Sequence, residues 1–156
     1  MIKIKKILVL CTGNSCRSPM GEAFLCKYLK PKGEFEIISA GITAMDGFPP
    51  TPETIEVMKE EGIDISTTFS RPFSPFLAKS ADIILVMSDK HKDFLLEKVP
   101  ELKDKIYLYK EFGQTTETGR EIPDPIGQSL SFYRTIREQI KRASIEIARI
   151  ITQDED

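Results

Sequence analysis

A cysteine and an arginine six positions apart, with a serine directly after the arginine, bracket the run Cys11-Thr12-Gly13-Asn14-Ser15-Cys16-Arg17-Ser18. Ile7-Leu8-Val9-Leu10 before it is short and apolar, which predicts a buried strand, and helical spacing runs from Ser18 to Lys30. A loop between a strand end and a helix start carries backbone N–H groups without helical partners, and a concave loop aims several of them at one anion. A tetrahedral phosphate fits such a cup. Gly13 and Asn14 are the residue types that best tolerate positive φ, and Arg17 supplies a planar two-pronged fork for the anion's oxygens. Thr12, Gly13, Asn14, Ser15, Cys16 and Ser18 are therefore binding candidates, and Cys11 is the candidate nucleophile. Amide hydrogens and a guanidinium favour the thiolate of a cysteine held among them, and the Ser18 hydroxyl can donate to that sulfur. The plainer alternative is an inert core cysteine in a common strand-loop-helix turn. Neither the Gly-Lys-Ser/Thr nucleotide loop nor the Gly-x-Gly-x-x-Gly dinucleotide loop is present.

A thiolate that attacks phosphorus needs an acid to protonate the departing group. The chain has one histidine, His91 in Ser88-Asp89-Lys90-His91, expected at an exposed helix start. Asp124 in Ile122-Pro123-Asp124-Pro125 is the better candidate, because two prolines fix its backbone in a loop before the last helix. On spacing alone, a turn aspartate is the more economical reading.

The elements that must position these residues form a βα alternation. Strands are predicted at Lys5–Leu10, Phe35–Ser39, Asp82–Met87 and Lys105–Tyr109, and helices at Ser18–Lys30, Pro52–Glu61, Asp89–Lys98 and Ser129–Ile151. That order implies an α/β fold: three layers, α/β/α, around a four-stranded parallel sheet, with the phosphate loop after the first strand. Thr51 with Pro52 reads as an N-cap followed by a first-turn proline, and Gly62 as a stop. Phe24, Leu25, Tyr28, Ile136, Ile140, Ile147 and Ile151 recur at helical spacing and read as core. Thr43–Pro50 and Lys110–Gln128 are candidate walls of the site, and Asp154–Asp156 reads as an acidic fray.

The 156 residues fit one domain, 1–156, with a sizeable core. A net charge of −2 and a pI near 5.6 argue against general nucleic-acid binding. No run reaches the length of a membrane span, so a cytoplasmic protein, not membrane-bound, is expected. Three cysteines and one histidine make neither a disulfide framework nor a zinc set. No metal and no cofactor are expected, and a monomer is. Lys3, Lys5 and Lys6 read as a solvated edge.

The run from Cys11 to Ser18, continued by Pro19-Met20, together with Asp124-Pro125, resembles the low-molecular-weight protein tyrosine phosphatase family. Ser39-Ala40-Gly41, Gly62-Ile63-Asp64 and Ala81-Asp82-Ile83-Ile84-Leu85-Val86-Met87 extend the resemblance over nearly the whole chain. It implies that Cys11 is the nucleophile, that Arg17 binds the phosphoryl oxygens and stabilises the transition state, and that Asp124 acts first as general acid and then as base. A phosphocysteine is implied as the intermediate, and a phosphorylated protein as the substrate, with phosphate or sulfate as ligands. Asn14 and Ser18 correspond to residues that shape the loop and stabilise the thiolate, and Ser39 to a serine that buttresses the asparagine. Cys16 corresponds to a second loop cysteine able to form a reversible disulfide with the nucleophile.

The chain departs from the tyrosine-specific pattern in three places. Thr68 stands where many members carry a histidine behind the loop. Ile126-Gly127 replaces an aromatic pair beside the acid, removing a platform for a phosphotyrosine ring. Ser15 replaces a bulky aliphatic residue, and bacterial arginine phosphatases of this fold have threonine there. Phosphotyrosine stands first as the broader family activity, with phosphoarginine close behind. Thioredoxin-coupled arsenate reductases share the loop but need two later cysteines, and none occurs from Lys27 to Asp156. A non-catalytic phosphate-binding module is the remaining alternative.

Overall fold

A computed structural model describes residues 3–153; the acidic run Asp154–Asp156 lies outside the described residues. Four parallel strands, β1 (Lys6–Cys11), β2 (Glu36–Gly41), β3 (Ile83–Val86) and β4 (Ile106–Leu108), form a sheet in the order β2-β1-β3-β4. The helices are α1 (Arg17–Leu29), α2 (Pro52–Lys59), α3 (Pro75–Ser80), α4 (Asp89–Lys98), α5 (Tyr109–Phe112) and α6 (Leu130–Gln153). The chain leaves β1 for β2 on one side and returns to β3 on the other. The order therefore reverses beside β1, and the loop after β1 opens at that crevice.

Period-two alternation sorts the strand side chains between the two faces. Ile7, Val9, Ile83 and Leu85 pack under α1, α2 and α6, whereas Leu8, Leu10, Ile84 and Val86 meet Ala78 of α3 and Leu95 of α4. Both faces are covered, which is why the strands read as unbroken apolar runs. Along α6, Tyr133, Ile136, Ile140, Ala143, Ile147 and Ile151 are buried, one stripe at intervals of three and four residues. Phe24 and Leu25 of α1 lie under that stripe, while Tyr28 and Cys26 are half-buried at its margin. Replacing Ile140, fully buried, with alanine is expected to cost about 2–5 kcal/mol. Urea unfolding should show a lower midpoint at unchanged slope.

The predicted long elements are present, with ends that coincide or shift by at most two residues. Cys11 is the last residue of β1, opposite Gly41, and not the first of the loop. The short helices α3 and α5 carry too few turns to print a period, and α5 occupies the start of the segment read as the wall 110–128. Thr51 caps α2 by accepting from Thr54 N–H, and Gly62 sits at φ 76°. Lys3 and Lys6 are exposed as expected, but Lys5 is half-buried with its ammonium 4.6 Å from the centre of the Phe35 ring.

Candidate active site

The phosphate loop is fixed by its backbone before any substrate enters. Asn14 takes the left-handed conformation, φ 54°, and its side chain locks that turn. Its Nδ2 donates to Ser18 Oγ at 2.7 Å and to Ser39 Oγ at 3.0 Å, and its Oδ1 accepts from Arg71 N at 2.9 Å. Gly13, expected to share the left-handed role, is not at positive φ, so one asparagine turns the loop. The glycine that geometry demands is Gly41 on the neighbouring strand. A Cβ there would come within 2.7 Å of Asn14 N and 2.8 Å of Thr12 O. Ser39-Ala40-Gly41 thus serves the loop twice, through a hydroxyl and through a missing side chain.

A directed chain of hydrogen bonds ends on the sulfur. Ser39 Oγ accepts from Asn14 and donates to Glu22 Oε1 at 2.6 Å. Ser18 Oγ also accepts from Asn14, which leaves its own proton for Cys11 Sγ at 2.9 Å. Cys11 is 2% exposed. Glu22 closes the network on the helix side, one turn after Ser18; that i, i+4 spacing was the signal available in the sequence. Thr68, where loop support was expected to change, is half-buried and bonds Ile65 O through its backbone N–H. The support comes instead from Glu22 and the Arg71 N–H.

Arg17 is buried, with Nη1 donating to Ile122 O at 2.9 Å and Nη2 to Thr12 Oγ1 at 3.4 Å. Asp124 Oδ2 lies 3.8 Å from Nη2, and Asp124 Oδ1 accepts from Ile126 N–H in a tight turn. The aspartate is half-exposed, so it faces both the arginine and solvent. Its loop is tied to the start of α4: Ile122 N–H donates to Met87 O, Asp89 N–H to Glu121, and Arg120 pairs with Asp89 at 2.8 Å and with Glu111 at 3.2 Å. The 43–50 segment brackets the opposite side, with Thr43 N–H on Thr12 O and Thr51 N–H on Ser15 O. Cys11, Arg17, Ser18, Asn14, Ser39 and Asp124 thus converge, although 113 positions separate the first from the last.

Cys16 is buried and unbridged, its sulfur 3.5 Å from Thr51 Oγ1 and 3.7 Å from the Tyr133 hydroxyl. Burial is the main cause that pushes the Tyr133 phenol up to about 12, so it stays neutral and can donate to that sulfur. Ser15 is half-buried in the loop, and Ile126 is exposed beside the aspartate. One expectation is corrected outright. His91, read as exposed, is 1% exposed, with its Nε2 2.9 Å from Thr12 Oγ1. The first turn of α4 is turned inward because β3 lies next to β1 in the sheet, a relation that local spacing does not encode. Among the described residues no cluster of three or more His, Cys, Asp or Glu could hold a metal ion, and no helix is long and apolar enough to cross a membrane.

This loop and fold recur in known proteins. A model of the low molecular weight phosphotyrosine protein phosphatase family matches residues 6–156. The chain belongs to that family. It is 37% identical over 139 residues to a probable low molecular weight protein-tyrosine-phosphatase, EpsP, of Ralstonia nicotianae, covering 89% of this chain and 90% of the relative. The tyrosine phosphatase Wzb from Escherichia coli K30, solved in complex with sulphate, superposes with a TM-score of 0.86 at 30% identity, covering 94% of this chain and 98% of Wzb. A cysteine-to-serine variant of the YwlE arginine phosphatase with a phosphorylated active-site serine gives 0.89 at 29% identity, covering 96% and 97%. The chain is accordingly a cysteine-type phosphatase with the family's α/β fold, and both tyrosine and arginine phosphatases stand among its relatives.

Proposed function

We propose that the chain dephosphorylates proteins through a phosphocysteine on Cys11, with phosphotyrosine as the substrate side chain. The observation that carries this reading is the sulfur itself: buried, 2.9 Å from the Ser18 hydroxyl, in a loop closed by Arg17 with Asp124 3.8 Å from that arginine. The Cys11 thiolate attacks phosphorus, the bond from phosphorus to the leaving oxygen breaks, and Asp124 delivers the proton that oxygen needs. The Asp124 carboxylate then takes a proton from water, whose oxygen attacks phosphorus, and the S–P bond breaks to return phosphate and thiolate. Arg17 and the loop amides stabilise the charge on the equatorial oxygens in both steps. The phosphorylated serine of the YwlE variant supports a covalent phosphoenzyme, and the sulphate complex of Wzb supports a tetrahedral anion as ligand. The reading includes a monomer acting in the cytoplasm as one phosphatase domain without metal or cofactor.

Phosphoarginine is the second reading, favoured by Ser15. A half-buried hydroxyl in the loop leaves room and polarity where an aliphatic side chain would pack on an aryl ring, and exposed Ile126 offers no aromatic face beside Asp124. Both substrates use the same sulfur and acid, with guanidine nitrogen replacing phenol oxygen as the leaving atom. A phosphotyrosine peptide and a phosphoarginine protein assayed side by side decide between them. Ser15→Ile is expected to raise the phosphotyrosine-to-phosphoarginine ratio of kcat/KM by about tenfold, the worth of roughly 1.4 kcal/mol of altered packing. An unchanged ratio would remove Ser15 from the specificity argument.

A further inference from the structure

His91 comes from α4, yet it reaches the phosphate loop. Its Nε2 is 2.9 Å from Thr12 Oγ1, and the same oxygen receives Arg17 Nη2 at 3.4 Å. Its Nδ1 is buried and has no hydrogen-bond partner among the described residues. Thr12, by contrast, is exposed at the mouth of the loop. A threonine hydroxyl has one proton and two lone pairs, and a guanidinium can only donate, so Arg17 takes one lone pair.

Two neutral tautomers of His91 remain. If Thr12 donated to Nε2, the ring proton would sit on Nδ1, sealed away without an acceptor, and orphaned buried N–H groups are rarer than orphaned acceptors. If Nε2–H donates instead, it fills the second lone pair of Thr12 and leaves only a lone pair unmatched at Nδ1. The Thr12 proton is then uncommitted.

We propose that His91 is a positioning residue of the phosphoryl site: as the neutral Nε2–H tautomer it orients the Thr12 hydroxyl, which holds Arg17 Nη2 and offers its own proton to the bound oxyanion. This rests on the reading of Cys11 and Arg17 as the phosphoryl-transfer pair.

Proton linkage follows from the charges around the ring. Burial first, then Arg17 of α1, lower the His91 pKa to about 4; Asp124 of the acid loop opposes them, and Lys90 on its own helix adds to them. The folded value lies below the ordinary 6.5. The stability His91 contributes is therefore full above 6.5 and lost as pH falls through about 4. A doubly charged anion in the loop offsets Arg17, so the occupied site takes a proton on His91 more readily, and by reciprocity protonation tightens anion binding.

As the chain's one histidine, His91 gives a single imidazole signal by NMR. In the wild type, nitrogen shifts should report Nε2–H above pH 6, and saturating sulfate should move the titration midpoint upward. A proton on Nδ1, or a midpoint indifferent to sulfate, overturns the proposal. With an aryl phosphate at pH 6, His91→Leu should lose about tenfold in kcat/KM, His91→Gln should recover most of it, and vanadate inhibition should weaken more than phosphate inhibition. Thr12→Val with His91→Leu should cost no more than the larger single loss, because one acts through the other. Additive losses, or a lowered Tm with kinetics intact, would leave His91 a packing residue. A wild type without turnover would instead sink the catalytic reading, so the two failures are distinguishable. If His91→Leu does not fold, the wild-type spectra and His91→Gln still decide.

Discussion

Cys11→Ser is expected to lose turnover of an aryl phosphate by a factor on the order of 10⁴ or more, while inorganic phosphate still binds within about threefold of the wild type. The first half follows from chemistry. A serine hydroxyl at the same point must be deprotonated to attack, and no base stands beside it; Ser18 Oγ, its neighbour at 2.9 Å, is already committed as an acceptor to Asn14. The second half follows from the make-up of the cup, whose donors are backbone amides and Arg17, none removed by the substitution. Asn14, Ser39 and Glu22 hold the loop shape independently of the sulfur. Competition with phosphate, followed by calorimetry or by inhibition of residual turnover, measures the binding. Peptide mapping after incubation with substrate should locate any slowly acquired phosphoryl group on residue 11. Normal turnover in this variant, or a phosphoryl group trapped elsewhere in the wild type, would end the proposed mechanism.

The second large effect is expected at the acid. Asp124→Ala should lower kcat/KM by about 10²–10⁴ for substrates whose leaving groups need a proton, such as the phenol of tyrosine or a guanidine, and far less for activated aryl esters. The loss should therefore grow along a series of phenols of rising pKa. Geometry supports this selectivity: the carboxyl is half-exposed and held by Ile126 N–H in a turn between two prolines, so its removal leaves β1, the loop and Arg17 in place. Arg17 keeps its bond to Ile122 O in the variant. Equal losses across the series would mean that Asp124 supports the loop and moves no proton.

The residues that proved informative in the sequence share a local cause. A strand, a tight loop and a helix N-terminus form one continuous stretch, so the cup around Cys11 is specified by eight neighbouring residues and needs no distant partner for its shape to be legible. The long elements were legible for a similar reason: α6 repeats its apolar stripe through Tyr133, Ile136, Ile140 and Ile147, and buried parallel strands are runs of branched residues. Helices α3 and α5 are shorter than two turns and print no such period. Asp124 could be nominated from its prolines, and the structure shows both sides of it: one carboxylate oxygen accepts from Ile126 N–H in a turn and the other stands 3.8 Å from Arg17, a distance the sequence does not record.

Residue order alone determined the α/β alternation, because period and punctuation are local to each element, and the strand-loop-helix run from Cys11 to Ser18 without a lysine-bearing or dinucleotide pattern, because that run is one continuous stretch of sequence. Tertiary structure decided what the order could not: that β3 lies beside β1 and turns His91 inward onto Thr12, that Glu22 ends the hydrogen-bond chain from Ser39, that Gly41 must lack a side chain because Asn14 and Thr12 pass so close, and that Arg120 ties the acid loop to α4. Each of these joins segments far apart in sequence, where packing and sheet order set the distances and no local period records them.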